Sequence, residues 1–174
     1  MRIIAGRFRG HRLKPLKGKG VRPTTDRVRE AWMSAMGGQF DDLEVLDLFS
    51  GSGALGLEAL SRGAHRVTFV EKARGALLVM EANISQLAVA ESCTVVADDV
   101  FRFLDRELAS FSFAVADPPY GSGHAQVLVD RWREAPFARE LWLEHPLRET
   151  LCLPDAATTR RYGDTALTTL TAEA

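Results

Sequence analysis

Cysteine is scarce: Cys93 and Cys152 are the only two in 174 residues, and neither sits at metal-ligand spacing from another cysteine or histidine. A disulfide framework and a structural metal are therefore not expected. The four histidines are scattered. No apolar run approaches the roughly 18 residues that a membrane span requires. The first residues lack an apolar h-region, so no signal peptide is expected. Internal repeats and low-complexity tracts are missing too. The expected setting is a reducing cytoplasm. Hydrophobic residues at 46% and charged residues at 26% are ordinary for a globular chain. The length suits one domain with one sizeable core.

Charge, by contrast, is unevenly placed. The net charge is −1, yet residues 1–30 hold ten Lys and Arg against only Asp26 and Glu30. A basic arm on an acidic body suits a polyanionic partner bound at one end. Ile3, Ile4, Phe8, Leu13 and Leu16 punctuate the charges, and Gly6, Gly10 and Gly18 mark turns. That pattern reads as a short hairpin presenting its basic side chains on an ordered surface rather than as a solvated tail.

Beyond the arm, helical and strand patterns alternate. Arg22–Met36 reads as a helix entered through Pro23 and capped by Thr24 or Thr25, with Val28, Trp32 and Ala35 on one face. Strands are expected at Leu43–Phe49, Arg66–Glu71, Cys93–Asp98, Phe111–Asp117 and Glu140–His145, and helices at Ala54–Gly63, Lys72–Leu87, Val100–Leu108 and Gln126–Arg133. The tail turns at Gly163-Asp164 between two β-prone runs, which predicts a closing hairpin. Short connections between alternating elements give a mostly parallel, doubly wound α/β sheet. The expected division is a basic arm over residues 1–22 and one α/β domain over 23–174. Ligands of such sheets lie beyond the carboxyl ends of the strands. Several strands end there in glycine-rich or acidic sequence.

Gly51, Gly53 and Gly56 have G-x-G-x-x-G spacing between a strand and a helix, the context that gives this motif meaning. Glu71 follows 20 residues after Gly51, at the end of the next strand, where an acid can accept from ribose hydroxyls. Dinucleotides and S-adenosylmethionine both use this geometry. Asp47 favours the second, because a carboxylate repels a pyrophosphate and attracts the ammonium of a methionine moiety. Asp47 can equally anchor the glycine loop by a hydrogen bond, and both roles stay open. Asp117-Pro118-Pro119-Tyr120 then points to methyl transfer onto a base amine. Such an amine is a poor nucleophile, since its lone pair is delocalised into the ring. The Asp117 carboxylate and the Pro118 carbonyl can each accept one N–H. The prolines remove competing backbone donors and stiffen the turn. Positive charge grows on the nitrogen during transfer, so preplaced acceptors stabilise the transition state. Tyr120 can stack on the base. No metal and no covalent intermediate are required.

Together with "RIIAGRFRGHRL", "RPTTDRVREA" and the terminal "RYGDTAL", these motifs make the chain resemble the RsmD family over nearly its whole length. The resemblance implies a Rossmann-like class I methyltransferase fold with a C-terminal antiparallel hairpin and a small basic N-terminal extension. It also implies transfer from S-adenosylmethionine to the N2 amine of a guanine of 16S ribosomal RNA, the one at position 966. By position, Asp47, Ser50, Gly51 and Gly53 would surround the methionine part and Glu71 the ribose. Asp99 with the Val100 backbone would meet the adenine edge, with Asp98 as the competing candidate. Asp117, Pro118, Pro119 and Tyr120 would hold the guanine. Arg22, Thr24 and Arg27 would shape the substrate entrance, and Arg7, Arg9 and Arg12 would contact RNA phosphates. The implied partner is a small ribosomal subunit or its assembly intermediate, met by a monomer with no membrane attachment. Departures from the family pattern are "AWMSAM" after Glu30 and the doubled Asp98-Asp99. The other readings are an N6-adenine methyltransferase, a non-catalytic RNA-binding assembly factor and a small dehydrogenase.

Overall fold

The computed structural model describes residues 1–16, 26–107 and 111–172, with the side chains of residues 26–28 excluded. Arg22 and Thr24, the expected cap at Thr24 or Thr25 and the side chain of Arg27 lie outside the described residues.

Seven strands form one sheet: β1 (Glu44–Leu48), β2 (Arg66–Glu71), β3 (Cys93–Ala97), β4 (Phe111–Ala116), β5 (Ala138–Pro146), β6 (Thr158–Tyr162) and β7 (Thr165–Thr171). Their order is β3-β2-β1-β4-β5-β7-β6. The first five are parallel, and β7 and β6 add an antiparallel hairpin turned at Gly163. The helices are α1 (Asp26–Ala35), α2 (Ala54–Ser61), α3 (Arg74–Leu87), α4 (Val100–Leu104) and α5 (His124–Glu134), with a short 3₁₀ turn at Ala90–Ser92. The chain reverses its direction of winding between β1 and β4, which places the ligand crevice at their carboxyl ends.

Strands β1, β4 and β5 are buried on both faces, as in a parallel sheet covered by helices. Core residues gather in two layers. One holds Trp32, Met33, Phe40, Leu57 and Met80, and the other holds Leu46, Leu48, Leu128 and Leu143. Of the expected α1 face, the side chain of Val28 lies outside the described residues. Trp32 is buried, but Ala35 is only half-buried, and the buried row is Arg29, Trp32, Met33 and Met36. That row keeps the i, i+3, i+4, i+7 spacing of an amphipathic helix, with a charged residue in it. β1 stops one residue earlier than the pattern predicts, because Phe49 takes a left-handed φ of 56°. α4 ends at Leu104, short of the expected Leu108.

Residues 1–16 are stitched to the body. Arg2 bridges Arg12 in antiparallel fashion, and Ile3 and Leu13 join the core layer of Trp32. The Ile4 and Ala5 amides donate to the two carboxylate oxygens of Glu58 on α2, at 2.8 and 3.0 Å. The Arg7 amide donates to Ser61 O, also on α2. Further along, the Lys14 amide donates to Asn83 Oδ1 on α3 at 2.8 Å.

Candidate active site

The glycine loop follows β1 directly. Gly53 has φ +77°, and a Cβ there would lie 2.9 Å from Met80 Cγ. At Gly56 a Cβ would come within 2.4 Å of the Phe69 ring. Only glycine lets α2 start this close to β2. The turn is held by Ser50, whose hydroxyl donates to Asp47 O at 2.6 Å, and by Asn83, whose amide donates to Ser52 O at 3.0 Å. Asn83 also donates to Lys14 O, so one fully buried side chain ties the glycine loop to the arm. Leu16 then reaches the loop, its Cδ1 lying 3.3 Å from where a Gly51 Cβ would be.

Asp47 is buried, and its Oδ2 accepts from the Gly56 amide at 2.9 Å. The loop-anchoring role is thus visible. Burial pushes its pKa from the ordinary 3.8 to about 8, the Gly56 hydrogen bond pulls it down, and the charges of Asp117 and Glu71 raise it further. Asp47 is therefore largely protonated at neutral pH, and a cation brought alongside would draw the proton off. Because the folded pKa is the higher one, the stability that this proton confers is complete below about pH 4 and drains away as pH rises to about 8. Denaturant unfolding of the free protein should show this loss with rising pH across that window, opposed below about pH 6.5 by the gain from His145, whose pKa burial lowers. The Asp47→Asn variant, which keeps an acceptor for Gly56, should lack this loss. An equal slope in both proteins would exclude Asp47 as its source.

Glu71 ends β2. Its Oε2 accepts from the Gly51 amide at 3.0 Å and its Oε1 from the Ala73 amide at 2.7 Å. The two acids after β3 are separated by their partners. Asp98 pairs with Arg102 and Arg106, on α4 and just past its end. Asp99 caps α4 by accepting from the Phe101 amide at 3.0 Å, and it pairs with Lys72 at 2.9 Å, next to Glu71. The Lys72 bond, ahead of the helix-cap amides, holds the Asp99 carboxyl below its usual range. Among the described residues, no acceptor takes the Val100 N–H.

In-register neighbours of a parallel sheet share a face, and faces alternate along each strand. Phe69, Asp47, Val115 and Trp142 are abreast across β2, β1, β4 and β5. Glu71, Asp117 and Glu144 each lie two residues further on. Asp47, Glu71 and Glu144 therefore face the same side near the carboxyl edge, and Asp117, just past β4, comes close enough for its charge to raise the Asp47 pKa. Pro118 is buried, Pro119 exposed, and Asp117 and Tyr120 half-buried. The turn is stitched by the Ser122 hydroxyl, which donates to Pro119 O at 2.5 Å. Among the described residues, no donor reaches the Pro118 carbonyl. Tyr120 donates to Glu144 Oε1 at 3.0 Å.

Three parts of this site carried no recognisable motif. Glu144 is one. The second is a trio in which Phe49 stacks on His124 at 5.4 Å and Phe101 meets both rings edge-on. It joins the glycine loop, the start of α4 and the start of α5. The third is Asn83. Arg7, Arg9 and Arg12 do not surround the tetrapeptide. The Arg7 guanidinium rests over the Phe8 ring at 4.6 Å, on a hairpin held at the far end of α2. Ser61, which holds the Arg7 amide, lies about 10 Å along α2 from its start at the glycine loop.

Carboxylates gathered around the glycine loop, two of them bonded to its amides, suit a cationic cofactor and repel a pyrophosphate, so this cradle fits a sulfonium nucleoside. Fold and cradle together define an S-adenosylmethionine-dependent methyltransferase. The family model described as Conserved hypothetical protein 95 matches residues 1–168, and the chain belongs to this family, the RsmD family. It is 39% identical over 123 residues to ribosomal RNA small subunit methyltransferase D of Escherichia coli, and 37% identical over 123 residues to the protein of that name from Haemophilus influenzae. These stretches cover 71% and 69% of this chain but 62% and 64% of the relatives, so the match spans a little under two thirds of their length. A hypothetical protein of Thermus thermophilus superimposes with a TM-score of 0.86 at 30% identity, covering 99% of both chains. A SAM-dependent methyltransferase of Agrobacterium tumefaciens shares the fold, with a TM-score of 0.63 at 20% identity over 91% of this chain and 64% of that one. No helix among the described residues is long and apolar enough to cross a membrane.

Proposed function

We propose that this protein methylates the N2 amine of a guanine in small-subunit ribosomal RNA, the base at position 966 in the family's usual reading. The observation that carries the reading is the place of Asp117: just past the carboxyl end of β4, beside β1, close enough to Asp47 for its charge to raise that pKa. S-adenosylmethionine, when bound, supplies an electrophilic methyl group on a sulfonium. Ser50, Gly51, Gly53 and Asp47 line its methionine side, Glu71 accepts from the ribose, and Asp99 and the Val100 N–H meet the adenine edge. Asp117 and the Pro118 carbonyl accept the two N–H groups of the guanine amine, which turns its lone pair toward the methyl. Tyr120 packs on the ring, and Pro119 keeps the turn rigid. Positive charge developing on nitrogen is met by Asp117 within a row of acids, and the proton lost from it leaves by way of that carboxylate. The target base must be unpaired or flipped for its amine to reach this depth.

The arm is assigned to phosphate contacts away from the catalytic edge, which position the RNA without holding the target base. The names of the relatives support ribosomal RNA as that substrate. Replacing Arg7, Arg9 and Arg12 together by glutamine should weaken RNA binding and flatten its log–log salt dependence by about 2, at roughly 0.7 per phosphate contact on single strands. An unchanged slope in a binding titration would remove the arm from the interface.

The decisive test of the reaction is transfer of a tritiated methyl group to small-subunit particles from a strain lacking the enzyme, followed by nucleoside analysis. Label in N2-methylguanosine is expected, and label in N6-methyladenosine overturns the assignment.

A further inference from the structure

Asp117 and the Pro118 carbonyl accept an amine from guanine or adenine equally well, so something else must choose the base. Glu144 is in position to do so. Ala116, the last residue of β4, is abreast of Leu143, so Asp117 leaves the sheet just where Glu144 continues β5 beside it. Glu144 is 5% exposed, a costly place for a carboxylate that serves no purpose. Tyr120 closes over it: the phenol donates to Glu144 Oε1 and lies 3.2 Å from Thr165 Oγ1. Burial pushes the phenol's pKa up to about 12, so it stays a donor at neutral pH. A carboxylate offers about four acceptor positions, so it can receive the phenol and a base edge together.

Resting on the guanine-N2 reading above, we propose that Glu144 reads the target base by accepting the ring N1–H of guanine while Asp117 accepts from the neighbouring N2 amine. Guanine presents N1–H and N2–H side by side on its Watson–Crick edge. Adenine presents its amine beside a bare N1 lone pair. A carboxylate just past β4 and another on β5 match the first edge and repel the second. The Tyr120 hydroxyl, itself 3.2 Å from Thr165 Oγ1, takes one acceptor position of Glu144, whose aim is set by its place on β5. A site built to receive a donor rejects an analogue lacking it far more strongly than a matching shape does, because a buried acceptor then loses its intended donor.

The test compares particles carrying guanine or 2-aminopurine at the target position. 2-Aminopurine keeps the reactive amine and has no N1–H. The wild-type protein should prefer guanine by about 100-fold or more in kcat/KM. Glu144→Gln should compress that preference to within about tenfold, since its amide can donate to the bare N1. Tyr120→Phe, which removes only the hydroxyl, should retain most of the preference. Each protein's S-adenosylmethionine affinity, measured by calorimetry, controls for folding. A wild-type protein indifferent to the two bases overturns the inference without any variant. So does a Glu144→Gln protein with the wild-type ratio. A Tyr120→Phe protein that loses the ratio as fully as Glu144→Gln does also overturns it, since Glu144 would then act only through the tyrosine. No N2-methylated product from guanine particles would instead overturn the reaction assigned above.

Discussion

Asp117→Ala is expected to bind S-adenosylmethionine within a few-fold of the wild-type affinity and to lose about 100- to 1,000-fold in kcat, the cost of removing one preplaced electrostatic contact to a transition state. The contrast follows from geometry. The cofactor cradle is built from β1, β2 and the start of α4, and its loop is held by Asp47, Ser50 and Asn83. None of those hydrogen bonds involves Asp117. On the substrate side, the Pro118 carbonyl would still accept one N–H, so the base would still dock, but its amine would no longer be turned by two acceptors. Asp117→Asn separates the parts of the effect. Its amide oxygen still accepts while the charge is gone, so it should lose less, about tenfold, if geometry dominates, and as much as alanine if charge does. Single-turnover transfer to guanine particles, with calorimetry on the cofactor, measures both. Near-normal turnover in Asp117→Ala would remove the residue from the reaction.

The parts of this site that were legible in the sequence are contiguous ones. A glycine loop between a strand and a helix, an acid at the next strand end and a proline pair that stops a strand each announce themselves within a short stretch of chain. The alternation of elements was equally plain, and the parallel sheet with its closing hairpin followed from it. What stayed hidden depends on distant partners. Glu58 meets Ile4 across 54 positions of sequence, Asn83 meets Lys14 across 69, and Tyr120 meets Glu144 across 24. In the sequence, Glu144 looks like a polar interruption of an apolar strand, and only its place beside Asp117 gives it meaning. The strand ends show the same limit on a small scale: Phe49 belongs to the apolar run, but its ring is claimed by His124 and Phe101, and its backbone leaves the strand. The order of the arm was legible in its interleaved apolar residues. Its position was not, because a buried acid on a distant helix fixes it.

Removing that acid should have the largest effect on stability. Glu58 is fully buried on α2. Its carboxylate accepts from the Ile4 and Ala5 amides and from Arg62 Nε at 2.9 Å, and Arg29 Nε lies 3.9 Å away. Arg29 is itself fully buried and donates to Arg2 O at 2.6 Å, so two helices and the arm converge on one charge. Glu58→Ala takes the acceptor away from two backbone amides and the counter-charge away from a buried guanidinium. Such a loss costs about 3–5 kcal/mol, because the partner charges stay desolvated. For a chain of this size that lowers Tm by about 10 °C. The damage should be local first. Hydrogen exchange at the Ile4 and Ala5 amides should lose its protection at temperatures where β1 and β4 keep theirs. RNA affinity should fall with the loosened hairpin, while the glycine loop, held by Asn83 and Asp47, should keep its cofactor affinity. Glu58→Gln supplies one acceptor oxygen but turns an amide N–H toward a donor, so it should fall between alanine and wild type. Wild-type protection at Ile4 and Ala5 in Glu58→Ala would show that the arm is held by its apolar contacts at Ile3 and Leu13 alone.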